Sequence, residues 1–187
     1  MQEIKKKRIF IALNLPKDTK KEISNLIDSI RAQNQKIKWV REANLHLTLH
    51  FLGYLDNEQL EQVENIIEQL AGKFNEMNFN FDKFDAFPNF NQPKVIVLIG
   101  KQTNGNNVFS LQKLLGEKLK AADFSIDERP WKLHLTLGRV KDYNCSLKLP
   151  INFKAQVYDF KINTFELMES ELMPEGPLYK VVKSYKL

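Results

Sequence analysis

Several residue types that define large protein classes are scarce in this chain of 187 residues. Cys145 is the single cysteine, which excludes an internal disulfide and a cysteine-rich zinc site. The longest uninterrupted apolar runs, Ile9–Leu13 and Val95–Ile99, are far shorter than the roughly 20 residues that a membrane helix needs. Glycine and proline number only seven each, and 11% of the residues are aromatic, which argues against disorder. The composition therefore predicts a folded globule without a membrane span.

The N-terminal segment superficially resembles a secretory leader, because basic residues 5–8 precede an apolar run. That run stops at Leu15-Pro16 without a small-residue cleavage site, so we expect no signal peptide and a cytoplasmic location. The excess of 28 basic over 23 acidic residues gives a net charge of +5. Such an excess suits an anionic ligand, but it is at least as typical of ordinary solubility.

A five-residue motif occurs twice: Leu45–Leu49 reads Leu-His-Leu-Thr-Leu, and Leu133–Leu137 repeats it. The chain has only three histidines, and two of them fall in these copies. Each motif follows a short apolar run and an amphipathic helical pattern, in the same order and at nearly the same spacing. We infer two similar lobes, with repeat units at about residues 8–53 and 94–140, packed together in one domain spanning residues 1–187.

Alternation of side chains indicates that both motifs are strands. In the first copy the leucines stand at odd-numbered positions, whereas His46, Thr48 and His50 stand at even-numbered positions. The second copy repeats this alternation with His134 and Thr136. A period of two places the leucines, together with Phe51, toward the core, and the polar residues on the opposite face. Each lobe would thus present an imidazole beside a hydroxyl.

Two such pairs facing one cleft suit hydrolysis of a phosphodiester. The hydroxyls of Thr48 and Thr136 can donate to non-bridging oxygens. One histidine can take a proton from water, and the other can protonate the leaving oxygen. Polar residues on a solvated sheet face would explain one copy, but not the specific repetition of His and Thr.

A metal site is the main competing interpretation, because His46 and His50 have the spacing of helical zinc ligands. On a strand these residues lie about 13 Å apart, too far to share one zinc ion. We therefore expect no metal and no cofactor. His50 is interpreted as a polar rim residue, with a substrate contact as the alternative.

Other residues are weaker candidates. Arg139 directly follows the second motif and could clamp a phosphate, and Arg129 could act similarly.

Aromatic residues recur at every third position from Phe81 to Phe90. We expect most of them to fill the core under a loop, with Phe87 or Phe90 lining the cleft. Trp39 and Trp131 are expected in the core, and Cys145 is not expected to be a nucleophile. Asp56 with Gln59 predicts a capping box that opens a helix.

The paired His-x-Thr motifs resemble those of the 2H phosphoesterases, and most closely those of the RNA 2′,3′-cyclic phosphodiesterases, also called 2′-5′ RNA ligases. Similar segments span nearly the whole chain and lie at residues 8–16, 39–53, 87–95, 128–140 and 170–179.

The resemblance implies a bilobal α+β fold with pseudo-twofold symmetry, in which antiparallel sheets line a central cleft and helices lie outside. Members open the 2′,3′-cyclic phosphate at an RNA end to a 2′-phosphomonoester without metal, and some join RNA through a 2′-5′ linkage. By this resemblance His46 is the acid, His134 is the base, and Thr48, Thr136 and Arg139 bind the phosphate. The symmetry leaves the reverse assignment of the histidines open. The expected partners are RNA ends or cyclic nucleotides, and the expected state is a monomer active in RNA processing.

Three departures from the family pattern concern substrate preference: His50 replaces a common Lys, Leu133 a common Pro, and Gly138 a common Ala. These departures leave the activity class intact, and two alternatives to the expected function are kept open on other grounds. One is an RNA-binding module with weak turnover, and the other is a relative that acts on another cyclic phosphate or oligonucleotide.

Overall fold

The structure is a computed structural model that describes residues 6–141, 147–149, 156–174 and 176–187. Cys145 lies outside the described residues. The strands are β1 (Lys7–Asn14), β2 (Ile37–Trp39), β3 (His46–Leu55), β4 (Met77–Phe87), β5 (Val95–Gln102), β6 (His134–Val140), β7 (Tyr158–Ile162), β8 (Thr164–Met173) and β9 (Gly176–Lys186). The helices are α1 (Lys17–Arg31), α2 (Asn57–Glu68) and α3 (Asn107–Ala121), and a 3₁₀ turn covers Glu42–Asn44.

Two antiparallel sheets form the framework, which confirms the predicted α+β fold. The four-stranded sheet has the order β3-β1-β8-β9, and the five-stranded sheet has the order β2-β6-β5-β4-β7. The motif strands β3 and β6 lie next to each other where the two sheets meet. One apolar cluster joins both sheets, since fully buried side chains such as Ile11 and Leu135 belong to it. A second, smaller cluster of Phe10, Ala12 and Met168 lies on the other face of the four-stranded sheet.

Apolar stripes in the sequence form the buried faces of the helices, and a capping box begins α2. Ile23, Ile27 and Ile30 of α1 are fully buried, as expected for one face of an amphipathic helix. The predicted capping box is present at α2: the Asp56 carboxylate accepts from the backbone N–H of Gln59 at 2.9 Å, and the Gln59 side chain accepts from that of Asp56 at 3.1 Å.

The chain crosses between the sheets rather than completing one before the other. Helix α1 follows β1 of the four-stranded sheet but contacts β2 and β7 of the five-stranded sheet. Helix α3 follows β5 of the five-stranded sheet but contacts β3 of the other one. Each half therefore covers the sheet of its counterpart. The single domain with repeat units at 8–53 and 94–140 stays a prediction.

The expectation that the spaced aromatic residues lie under a loop is wrong for most of them. Strand β4 continues through Phe87, and Pro88 follows its end, where a missing N–H costs no ladder hydrogen bond. Phe81 is fully buried in the core, and the irregularity in pairing after it reorients the later residues of β4. Among the described residues, no helix combines the length and apolarity needed to cross a membrane.

Candidate functional site

Both motif strands contain a β-bulge directly after the threonine. Ala12 pairs with Thr48, but Ile11 pairs with His50, so Leu49 is an extra residue in β3. Strand β6 has the same irregularity, because Thr136 and Gly138 pair with consecutive residues of β5. A bulge shifts the alternation by one residue, so every side chain beyond it changes face.

The bulge overturns the prediction that His50 shares the polar face with His46, either as a rim residue or as a substrate contact. His50 is only 4% exposed, and its Nε2–H donates to the Gln112 carbonyl of α3 at 2.8 Å. A Cβ at Gly116 of α3 would lie 3.0 Å from the imidazole Cε1, so this glycine makes room for the ring. His50 therefore fixes α3 on the sheet.

The same shift brings two other side chains to the cleft face. Phe51, predicted to face the core with the leucines, is 49% exposed and lines the cleft. Arg139 occupies the corresponding place in β6 and lines the cleft too, as its candidate role requires. No hydrophobic pattern marks the bulges, because Leu49 and Leu137 continue an unbroken alternation with leucine. Sequence reasoning therefore missed Phe51.

The two motif histidines are held in the same way. The Nδ1–H of His46 donates to the Asn44 carbonyl at 2.7 Å, and that of His134 donates to the Lys132 carbonyl at 2.7 Å. In the neutral imidazole this leaves the proton-accepting lone pair on Nε2. The hydroxyl of Thr48 lies 2.9 Å from Nε2 of His46 and donates to it when the ring is neutral.

Aromatic rings pack against both imidazoles. The ring centroids of Phe10 and Tyr179 lie 5.0 and 5.2 Å from that of His46. The ring of Phe87 lies 5.3 Å from that of His134, which places this candidate beside the site. Neither Phe87 nor Phe90, which is 44% exposed, lines the cleft cavity, so the prediction that one of them does is wrong. The rings limit rotation of the imidazoles and exclude water from one side of each.

Residues of both motifs meet at one cavity of about 110 Å³. Among its lining side chains are His46, Thr48, Thr136 and Arg139. The indole N–H of Trp131 donates to the Thr48 carbonyl at 3.0 Å and so connects the approach to β6 with β3. Thr136 and Arg139 bring the second motif to this cavity, whereas His134 is not among its lining residues but lies close enough for its charge to act on His46.

Burial and neighbouring cations favour neutral imidazoles in this cleft. Burial lowers the pKa of His46 from 6.5 to about 4, with further lowering by the charges of Lys20, Arg139 and His134. Burial also lowers the pKa of His134, and the charges of Arg139 and Lys132 act in the same direction. The Lys20 ammonium donates to the Ala43 carbonyl at 3.1 Å, next to the residue that holds His46. A bound anion would reverse this balance by stabilising imidazolium.

The remaining candidates lie elsewhere. The Arg129 guanidinium is 86% exposed and forms an ion pair with Asp127, away from the cleft cavity. Trp39 is buried, as predicted, although it also lines the cavity, whereas Trp131 is half-buried and packs against the core. Within the described part of the chain, no three His, Cys, Asp or Glu side chains cluster in a way that could hold a metal ion.

Comparison with known proteins adds independent findings. The family model described as LigT-like phosphoesterase matches residues 13–97 and 99–179. The RNA 2′,3′-cyclic phosphodiesterase of Methanocaldococcus jannaschii is 31% identical, with 95% of this chain and 99% of that protein covered. The protein of the same name from Thermotoga maritima is 30% identical, with 94% and 92% covered.

Solved structures agree with the fold. A crystal structure of a Thermus thermophilus protein superposes with a TM-score of 0.79 at 25% identity and covers 96% of this chain and 97% of its own. LigT of Escherichia coli, crystallised with 3′-AMP, also gives a TM-score of 0.79, at 21% identity and with 98% and 99% coverage. At that identity the second likeness shows the fold alone.

Proposed function

Because this chain belongs to the LigT-like phosphoesterase family, we propose that it hydrolyses RNA 2′,3′-cyclic phosphate ends to 2′-phosphomonoesters by metal-free acid–base catalysis. One observation carries the proposal. Two His-x-Thr strands, each bulged after the threonine, face the same cleft, and each histidine directs its Nδ1–H to a backbone carbonyl.

Hydrogen-bond donors that line the cavity bind the phosphate. The Arg139 guanidinium attracts the anionic oxygens, and it can donate two parallel hydrogen bonds to them. The hydroxyls of Thr48 and Thr136 donate from the two strands. To do so, the Thr48 hydroxyl turns from Nε2 of His46 toward the ligand, which releases that nitrogen for proton transfer.

Hydrolysis then needs one proton acceptor and one proton donor. Nε2 of one histidine accepts a proton from water as the water oxygen bonds to phosphorus. The bond between phosphorus and O3′ breaks, and the Nε2–H of the other histidine protonates O3′. The products are a 3′-hydroxyl and a 2′-phosphomonoester. Each proton transfer contributes roughly 10²–10⁴ to the rate.

By the family resemblance alone, we propose His46 as the acid and His134 as the base. A depressed pKa of about 4 leaves His46 neutral in the free cleft at neutral pH, so the substrate must charge it. The phosphate anion of the substrate promotes protonation of His46, because a negative charge close to an imidazole raises its pKa. If the roles are reversed, the same argument applies to His134.

The same site accommodates ligation as well. If an RNA 5′-hydroxyl replaces water, its oxygen bonds to phosphorus, the bond to O3′ breaks, and a 2′-5′ phosphodiester results. The protons follow the same route between the two histidines. Ligation needs a bound second strand end, so hydrolysis dominates in dilute RNA.

The test is incubation with 2′,3′-cyclic AMP and with a short RNA ending in a 2′,3′-cyclic phosphate, in the presence of EDTA. We expect a 2′-phosphate product in both cases, resolved from the 3′-phosphate by chromatography. His46→Ala and His134→Ala should each lower kcat by at least about 10² with a smaller effect on binding. An RNA-binding module would show little turnover in any variant. Activity abolished by EDTA and restored by a divalent ion would contradict the metal-free mechanism.

A further inference from the structure

The four-stranded sheet continues past the catalytic cleft along the pair of strands that carries the first motif. Beyond Phe51, the ladder between β1 and β3 extends through Gly53, Tyr54 and Leu55. The equivalent ladder between β5 and β6 ends at Arg139, which pairs with Val95. Within residues 6–141, the first half of the site thus carries a surface beyond the cleft that the pairing of β5 with β6 does not extend to form.

A second bulge determines which side chains this surface presents. Phe10 pairs with Phe51 and Ile9 pairs with Gly53, so Leu52 is an extra residue. Gly53 has φ of 78°, a left-handed conformation that residues with a Cβ rarely adopt. The bulge places Tyr54 opposite Arg8, on the cleft face of the sheet.

Three side chains lie on this face: Phe51 is nearest the cavity, and Arg8 and Tyr54 form the cross-strand pair beyond it. We call Arg8, Phe51 and Tyr54 the strand platform. Phe51 lines the catalytic cavity and lies 5.6 Å from the ring of Phe10, itself in contact with the ring of His46. Tyr54 is 58% exposed, so its ring is open to solvent. Successive pairs on one face of a strand lie about 6.6 Å apart, so the platform leads directly away from the catalytic centre.

The charge of the platform suits a nucleic acid strand. Arg8 is exposed, and among the described residues no carboxylate forms an ion pair with it. Its neighbour Lys7 lies on the other face of β1 and pairs with Glu169 at 3.8 Å. An exposed guanidinium beside an exposed ring can bind a phosphate and a stacked base together.

From these observations we infer that the strand platform binds the nucleotide that precedes the cyclic-phosphate end, with its base on Tyr54 and its phosphate at Arg8. The inference rests on the proposed function, and it makes an RNA strand, rather than a free cyclic mononucleotide, the preferred substrate. The occupant is single-stranded RNA, because in a duplex the neighbouring base pairs cover both faces of an internal base, whereas a single-stranded base can stack on the ring.

The experiment compares kcat/KM for 2′,3′-cyclic AMP, and for di- and trinucleotides of adenosine that end in a cyclic phosphate. We expect the dinucleotide to exceed the mononucleotide at least tenfold and the trinucleotide to add little. Tyr54→Ala should reduce the dinucleotide advantage roughly tenfold, as loss of a stacked base does, without changing the kinetics of the mononucleotide. Tyr54→Phe retains the ring and should retain the advantage.

Arg8 is tested through salt dependence, with Lys7→Gln as the matched control on the other face of the same strand. Arg8→Gln should make log(kcat/KM) for the dinucleotide fall less steeply with log[salt] than in the wild-type protein, and Lys7→Gln should leave that slope unchanged. Equal kcat/KM for all three wild-type substrates, or a dinucleotide advantage that survives Tyr54→Ala, would overturn the platform while leaving the proposed function intact. Failure of the wild-type protein to hydrolyse any of the three would instead refute the proposed function.

Discussion

At the residue scale, His46 and His134 share a backbone contact but differ in their surroundings. Both direct Nδ1–H to the carbonyl of the residue two positions earlier, so neither depends on a carboxylate for its orientation. His46 contacts Phe10 and Tyr179, whereas His134 contacts Phe87. Equivalent motifs therefore place the two imidazoles in unlike environments, which lower the pKa of both and that of His46 to about 4.

The pH dependence of turnover should reveal the effect of the bound anion. In the free cleft, burial and nearby cations hold the pKa values of both histidines below 6.5, and that of His46 at about 4. The phosphate stabilises imidazolium, so both pKa values rise in the complex. We therefore expect bell-shaped profiles, with the bell for kcat at higher pH than the bell for kcat/KM.

The control for this prediction is Arg139→Gln, which removes a cation that lowers both pKa values. It should move the kcat/KM profile to higher pH and raise KM. Coincident bells for kcat and kcat/KM in the wild-type protein would contradict the role given to the substrate charge.

At the element scale, the bulges decide which residues of β3 and β6 serve the cleft. Side-chain alternation in the sequence correctly predicted strands, and it placed His46, Thr48, His134 and Thr136 on one face of them. The prediction failed beyond Leu49, where His50 turns inward and Phe51 turns outward. A bulge arises from backbone hydrogen bonding, and leucine at the extra position looks identical to leucine in a regular strand.

His50 and Phe51 provide a paired test of this inversion. His50→Ala removes a buried ring and its hydrogen bond to the Gln112 carbonyl, so it should lower the free energy of unfolding by about 1–3 kcal/mol. Because His50 faces α3, kcat/KM should change less than about twofold once the variant is folded. The measurements are urea unfolding and steady-state kinetics.

Phe51→Ala should behave in the opposite way, because its side chain is half exposed and lines the cavity. We expect a change in unfolding free energy within about 0.5 kcal/mol, together with a raised KM. A large kinetic defect in folded His50→Ala, with Phe51→Ala unaffected, would show that the alternation continues unbroken.

At the scale of the whole molecule, α1 and α3 are exchanged between the sheets, whereas α2 contacts β3 of the sheet it follows. The sequence showed the order strand, helix, motif strand twice, but this order does not reveal which sheet a helix covers. That choice depends on long-range packing of α1 against β2 and β7, and of α3 against β3. Local periodicity fixes only which face of a helix is apolar.

The exchange predicts a single cooperative unfolding transition rather than one for each half. Removing either half uncovers the sheet of the other, so neither half retains its core alone. Tryptophan fluorescence, from Trp39 and Trp131, and far-UV circular dichroism should give coincident urea midpoints. Two separated transitions would refute the single domain predicted for residues 1–187.

The hydrogen bond from Trp131 to the Thr48 carbonyl has a consequence for how the groove accommodates its ligand. Because the rigid indole joins one motif segment to the other, it holds β3 and the approach to β6 at a fixed separation. We expect the groove to keep its width when a ligand binds, so that no closure of the two strands is needed to hold it.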